Sequence, residues 1–206
     1  MRLVETDQFD KIYHEHFCYF SLIAVEPLFL RQGLLLFDVE ELPTHGGSLR
    51  IYAAHDEAGR SETSRLETQR EVELRCGMNA APYYRSFQEK ADRVKDDFLG
   101  FLLEQRDLGR SVVAYGAAAK GNTLLNYCGV GSDRLPFVAD ISPHKQGKFL
   151  PGSHIPVVAE TQLREAKPDF VVILPWNIQD EVREQLCYIR DWGGRFVVAV
   201  PRLNIL

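Results

Sequence analysis

Apolar positions near the start of the chain recur at helical spacing. Phe9, Ile12, Tyr13, His16, Phe17 and Phe20 share one face at about 100° per residue, which predicts an amphipathic helix with Asp7 as N-cap and Asp10 in an acidic first turn. On that helix His16 points inward, while His14 and Glu15 fall on the flanks. Ser21 caps a second helix through Leu22, Ile23, Val25, Leu28 and Leu30, with Pro27 as a candidate kink and Gly33 as the stop. The period then changes to two. Leu35, Phe37 and Val39 alternate with Leu36, Asp38 and Glu40, and Leu49 to Ala54 is a second extended run, so the two predict an antiparallel hairpin across Pro43 to Ser48.

From Glu57 to Arg75 charges of both signs predict a solvated helix and no site. Asn79 and Pro82 open a longer helix whose Tyr84, Phe87, Ala91, Val94, Phe98, Phe101 and Leu102 step by three and four, as core packing does. At residue 111 the character changes. Ser111 to Tyr115, Pro136 to Ala139, Phe170 to Leu174 and Phe196 to Val200 read as strands, separated by helical stretches after Gly121, at Glu160 to Ala166 and at Asp180 to Trp192. Strand alternating with helix predicts an α/β fold: a Rossmann-like, mostly parallel sheet flanked by helices, preceded by two helices and an antiparallel hairpin. The expected division is one substrate-binding domain over 1–206, with a helix and hairpin over 1–56, a helical connector over 57–110 and the Rossmann-like part over 111–206.

Composition narrows the function. A chain of 206 residues with 45% hydrophobic and 26% charged residues is an ordinary globular sequence, and its net charge of -5 argues against nucleic acid as a partner. Cys18, Cys76, Cys128 and Cys187 stand singly, as in a reducing compartment, and no apolar run approaches the roughly 18 residues of a membrane span. A cytoplasmic protein with no membrane partner is expected.

His16 among aromatics has two readings, a core histidine satisfied by one hydrogen bond or a general base. Metal binding is not expected here: on a helix His14 and His16 diverge by about 200°, and the H-E-x-x-H pattern is not met. His45, Gly46, Gly47 and Ser48, with Arg50 just inside the next strand, form either a plain turn or a backbone-lined approach to a ligand, and the sequence leaves both open. Gly116, Ala118 and Gly121 occupy G-x-G-x-x-G spacing between a strand and a helix, with alanine in the middle. Gly116, Ala117, Ala118, Ala119, Lys120, Gly121 and Asn122 thus suit an anion, held by helix N-terminal amides and the Lys120 charge. Asp140 ends the next strand about 20 residues on, where an acid commonly takes a ribose hydroxyl or caps its own turn, here Ser142-Pro143. Lys145, Trp176 and Asn177 fall at the same carboxyl edge of the sheet, and Trp176 either stacks on a base or fills core.

Five blocks carry a resemblance: Tyr13-His14-Glu15-His16-Phe17, Pro43 to Arg50, Gly116 to Asn122, His144-Lys145-Gln146-Gly147 and Leu174-Pro175-Trp176-Asn177. In this order they resemble the C-terminal domain of sugar C-methyltransferases, which methylate a carbon of nucleotide deoxysugars with S-adenosylmethionine. The resemblance implies that His16 is the base with Tyr13 and Glu15 beside it, and that Gly116 to Asn122 cradles the diphosphate of a nucleotide sugar. It also implies an upstream zinc module and methyl-donor domain, neither of which is visible in this sequence. The expectation is therefore a substrate-binding, base-bearing half, inactive alone and partnered by a donor domain or subunit, with no metal in this chain. An NAD-type oxidoreductase or a non-catalytic nucleotide-binding module is the alternative that the glycine spacing and Asp140 support by themselves.

Overall fold

The computed structural model describes all residues, Met1–Leu206, and the chain divides into two compact units. The first holds Met1–Thr6 and His16–Gln88, the second Asp7–Glu15 and Glu89–Leu206.

The first unit contains α1 (Arg2–Glu5), α2 (Leu22–Leu30), the hairpin strands β1 (Leu34–Leu42) and β2 (Ser48–His55), α3 (Ser64–Arg75) and α4 (Pro82–Arg85). Ser21 caps α2 as its sequence predicts, accepting from the Ala24 N–H at 3.3 Å. The next orphan donors of that helix go to a residue far along the chain. The fully buried Glu73 of α3 takes the Leu22 and Ile23 N–H groups, both at 3.0 Å. A carboxylate at a helix N-terminus meets both unpaired amides and the positive end of the dipole, so the charged helix is not solvated all round.

β1 and β2 pair antiparallel, but the register slips between Leu36 and Asp38. Such a bulge reverses which parity faces the core. Leu36 and Val39 are therefore the buried strand residues, and Leu35, expected to share a face with Val39, is exposed. The bulge is pinned from α3. The Phe37 carbonyl accepts the Thr63 N–H at 2.9 Å, and Asp38 accepts from the Thr63 hydroxyl at 2.6 Å and from Arg65. The Arg65 hydrogen bond first, then that of Thr63, holds the Asp38 carboxyl below its usual range. Leu22, Val25, Leu36, Val39 and Leu66 form this unit's core.

The second unit is built on α5 (Phe87–Asp107), of which Ala91, Val94, Phe98, Phe101 and Leu102 are buried as their spacing predicts. Tyr84 belongs instead to the separate α4 and is exposed. The strands β3 (Val112–Tyr115), β4 (Val138–Ala139), β5 (Val157–Val158), β6 (Phe170–Ile173), β7 (Arg195–Val198) and β8 (Asn204–Ile205) form one sheet in the order β5-β4-β3-β6-β7-β8. All neighbours are parallel except β7 and β8. The helices α6 (Ala119–Cys128), α7 (Thr161–Ala166) and α8 (Gln179–Gln185) make the crossovers. From β3 the chain moves outward to β4 and β5, then returns to place β6 on the other side of β3. The winding reverses between β3 and β6, and the crevice beyond their carboxyl ends is where such sheets receive ligands.

The helix expected over Phe9 to Phe20 does not form. Asp7 is left-handed at φ 52, only Phe9–Lys11 makes a 3-10 turn, and Ile12 leaves the helical region at ψ 85. From Ile12 to Phe20 the residues are nearly all aromatic, histidine or β-branched, with Glu15 the one strong helix former, so nothing local sustains a helix once Asp7 fails to cap it.

Candidate functional site

Four buried residues of β3 deliver the chain to Gly116 at the crevice. Gly116 has φ +88, and a Cβ there would lie 2.5 Å from Pro175 Cδ, so the turn after β3 meets the turn after β6 only because the side chain is missing. At Gly121 a Cβ would come within 2.6 Å of Leu174 Cβ, which lets α6 lie close on β6. Ala118, the N-cap of α6, is extended at φ -95 and ψ 152, a conformation alanine adopts without strain. The first and last positions of the motif thus require glycine and the middle one does not. The amides opening α6 have no partner within the helix and favour an anion.

Lys120 stands in that first turn. Its Nζ donates to Asn177 Oδ1 at 2.6 Å and lies 4.7 Å from the centre of the Trp176 ring, within cation–π range. Trp176 in turn packs against the core of this unit and donates its Nε1–H to Asp10 Oδ2 at 2.6 Å. Asp10 is 1% exposed, and its Oδ1 has no hydrogen-bond partner. It reaches this place from the 3-10 turn Phe9–Lys11, which packs on α6 with the Phe9 ring 4.8 Å from that of Tyr127. Burial raises the Asp10 pKa, against the lowering effects of the Trp176 bond and of Lys120 and Lys11. Burial likewise lowers that of Lys120, against the charge of Asp10. Both groups are pushed toward their neutral forms, so desolvation outweighs their mutual attraction.

Asp140, at the tip of β4, is buried and its carboxylate is already engaged. Oδ2 accepts from the Ala117 N–H at 2.7 Å and from Lys145 Nζ at 3.1 Å, and Oδ1 accepts from the Ser142 N–H at 2.8 Å. It braces the glycine turn and caps its own turn.

In the first unit, the hairpin loop holds three successive left-handed residues, His45 at φ 55, Gly46 at φ 81 and Gly47 at φ 115. Arg2 covers Gly47 so closely that a Cβ there would lie 2.5 Å from Arg2 Cδ. Ser48 Oγ donates to the Thr44 carbonyl at 3.2 Å, and Arg50 pairs with Glu40 at 3.1 Å. His16 is exposed, its ring 6.2 Å from that of Tyr19, and is not turned inward as the helical spacing predicts. Tyr13 and Glu15 belong to the second unit, Tyr13 half-buried and Glu15 exposed.

The sheet edge thus brings together Gly116 to Asn122, Asp140, Lys145, Trp176 and Asn177. His16 and the hairpin residues fall in the other unit. Asp10 is the member that sequence reasoning misses, because its partner Trp176 is 166 residues away and no local pattern links them. No helix is long and apolar enough to cross a membrane.

Two comparisons bear on this arrangement. A family model described as the C-methyltransferase C-terminal domain matches residues 43–201. "C-methyltransferase NovU" from Streptomyces niveus is 34% identical over 206 residues, which is all of this chain and 49% of that protein. The chain therefore spans about half the length of this curated relative. With the glycine turn, the switch-point crevice and the Trp176 edge all inside the matched range, the chain belongs to the C-methyltransferase C-terminal domain family.

Proposed function

We propose that this chain is the substrate-binding and general-base half of a C-methyltransferase acting on a keto-deoxysugar nucleotide. The observation that carries the reading is Lys120, a cation held in the first turn of α6 where the sheet reverses its winding. Amides and ammonium together suit a diphosphate. The same ammonium repels a sulfonium, so this turn does not fit S-adenosylmethionine, which supplies the electrophilic methyl from outside these residues. A donor-binding domain or subunit is the partner this requires, and the chain alone is inactive.

The chain's own chemistry is proton abstraction. His16 takes the proton from a carbon beside the sugar ketone, and the C–H electron pair moves into an enolate whose carbon is the nucleophile. A positioned base of this kind contributes about 10²- to 10⁴-fold. Tyr13 and Glu15 fix the imidazole tautomer or hydrogen-bond the enolate oxygen. His45, Gly46, Gly47, Ser48 and Arg50 are a second substrate-contacting group, on a loop that turns through three left-handed residues. The dinucleotide alternative loses support at Asp140, whose oxygens are taken up by Ala117, Ser142 and Lys145 rather than turned to a ribose.

Calorimetric titration of the chain tests the reading. Thymidine diphosphate binds and Lys120→Ala weakens it at least tenfold, whereas S-adenosylmethionine does not bind. Tight binding of S-adenosylmethionine by this chain alone would sink the proposal.

A further inference from the structure

The crevice keeps a carboxylate whose burial costs the fold stability. Asp10 is almost completely buried, one of its oxygens has no hydrogen-bond partner, and its other oxygen is spent on the indole N–H of Trp176. What that bond secures is the orientation of an aromatic plane. Trp176 packs against the core and bears the Lys120 ammonium on its ring, so the indole is the surface on which the lysine rests. Asn177, the next residue, holds the same ammonium through its side-chain oxygen.

We infer that Asp10 is a positioning residue for diphosphate recognition: by fixing the Trp176 indole it aims the Lys120 ammonium at the anion site opening α6. This inference rests on the diphosphate reading proposed above. It also assigns Trp176 a role other than base stacking, since one side of the ring serves the lysine and the ring packs on the core. The nucleoside base of the ligand is accordingly read elsewhere.

Three features point to the acceptor oxygen of Asp10 rather than its charge. The Trp176 contact is a hydrogen bond at 2.6 Å to one oxygen. No salt bridge joins Asp10 to Lys120, whose nitrogen is bonded to Asn177 instead. A negative charge near a diphosphate also repels it, so ionised Asp10 opposes binding by its charge while supporting it by geometry.

The test uses inorganic pyrophosphate, thymidine diphosphate and thymidine as probes of the 206-residue chain. Asp10→Ala frees the indole and weakens pyrophosphate and thymidine diphosphate about tenfold, the loss typical of a hydrogen bond that orients a charged group. Thymidine, which has no phosphate, keeps its affinity. Asp10→Asn retains an acceptor oxygen without the charge and restores binding to at least the wild-type level. Trp176→Phe keeps a ring and deletes the donor, reproduces the Asp10→Ala loss, and serves if Asp10→Ala does not fold. Combining Asp10→Ala with Lys120→Ala adds nothing to Lys120→Ala alone, because both act through the ammonium.

Equal losses in Asp10→Asn and Asp10→Ala would overturn the inference, as would unchanged pyrophosphate binding in Asp10→Ala. A readout without ligand separates this inference from the reading beneath it. The Trp176 Nε1–H exchanges with solvent slowly in the wild type and at least tenfold faster in Asp10→Ala. Unaltered exchange overturns the positioning role whatever binds, whereas a wild-type chain that binds neither phosphate probe overturns the diphosphate reading.

Discussion

At the scale of the residue, buried carboxylates organise this protein, and two of them do so at opposite cost. Glu73 accepts three donors, the Leu22 and Ile23 amides and the Gln69 side chain, so its desolvation is compensated and it closes α2. Glu73→Ala should cost about 2 kcal/mol in urea unfolding, since it leaves helix amides unsatisfied, while Glu73→Gln, which keeps one acceptor, should cost less. Asp10 is compensated only in part, and burial raises its pKa. The folded state therefore binds the Asp10 proton more tightly than the unfolded chain does. The stability this group contributes is complete below the unfolded pKa of 3.8 and is lost as pH rises through the higher folded value. Asp10→Asn should accordingly raise the urea midpoint at pH 7, with the gain shrinking as pH falls toward 4. Neither carboxylate's role is legible in the sequence, because the partners lie in remote segments.

At the scale of the element, the glycines of the β3–α6 turn divide by what they touch. Gly116→Ala and Gly121→Ala should each cost about 1–3 kcal/mol, as overpacking does, and weaken thymidine diphosphate by moving the Pro175 turn that carries Trp176. Ala118→Gly should change stability by no more than about 0.5 kcal/mol, since alanine is unstrained there and glycine is the better N-cap. The turn was readable in the sequence because its spacing and its strand-to-helix setting are local. So were β3, β6 and, from Phe196 on, β7, each a short apolar run buried on both faces. The strands β5 and β8 were not, having two residues each and no period to detect. The helix predicted over Phe9 to Phe20 fails for the opposite reason: its spacing fits, but its residues lack helical propensity and a cap. In β1 the bulge defeats a strict alternation. Thr63, which lies outside the strand, pins it through Asp38 at the bulge, so period alone cannot reveal it.

At the scale of the whole molecule, the sheet of the second unit is closed on one side by β8, and the N–H of Leu206, just after it, reaches the Phe196 carbonyl at 2.8 Å. Removing residues 203–206 should leave β7 as a bare edge and promote concentration-dependent association, visible by light scattering. The family resemblance was legible in the sequence because its blocks keep their order over the chain, while the division into units was not. The second unit takes in Asp7–Glu15, yet the residues on both sides of that stretch belong to the first. The Phe9 ring packs at a tilt against that of Tyr127, Asp7 pairs with Lys90 at 3.3 Å, and Asp10 holds Trp176. No single cut can therefore separate the two units as whole pieces. A polypeptide beginning at Glu89 would carry the glycine turn, Lys120 and Trp176 with a bare groove along α6, and a synthetic peptide of residues 7–15 would be its missing strip, restoring diphosphate binding on addition in trans.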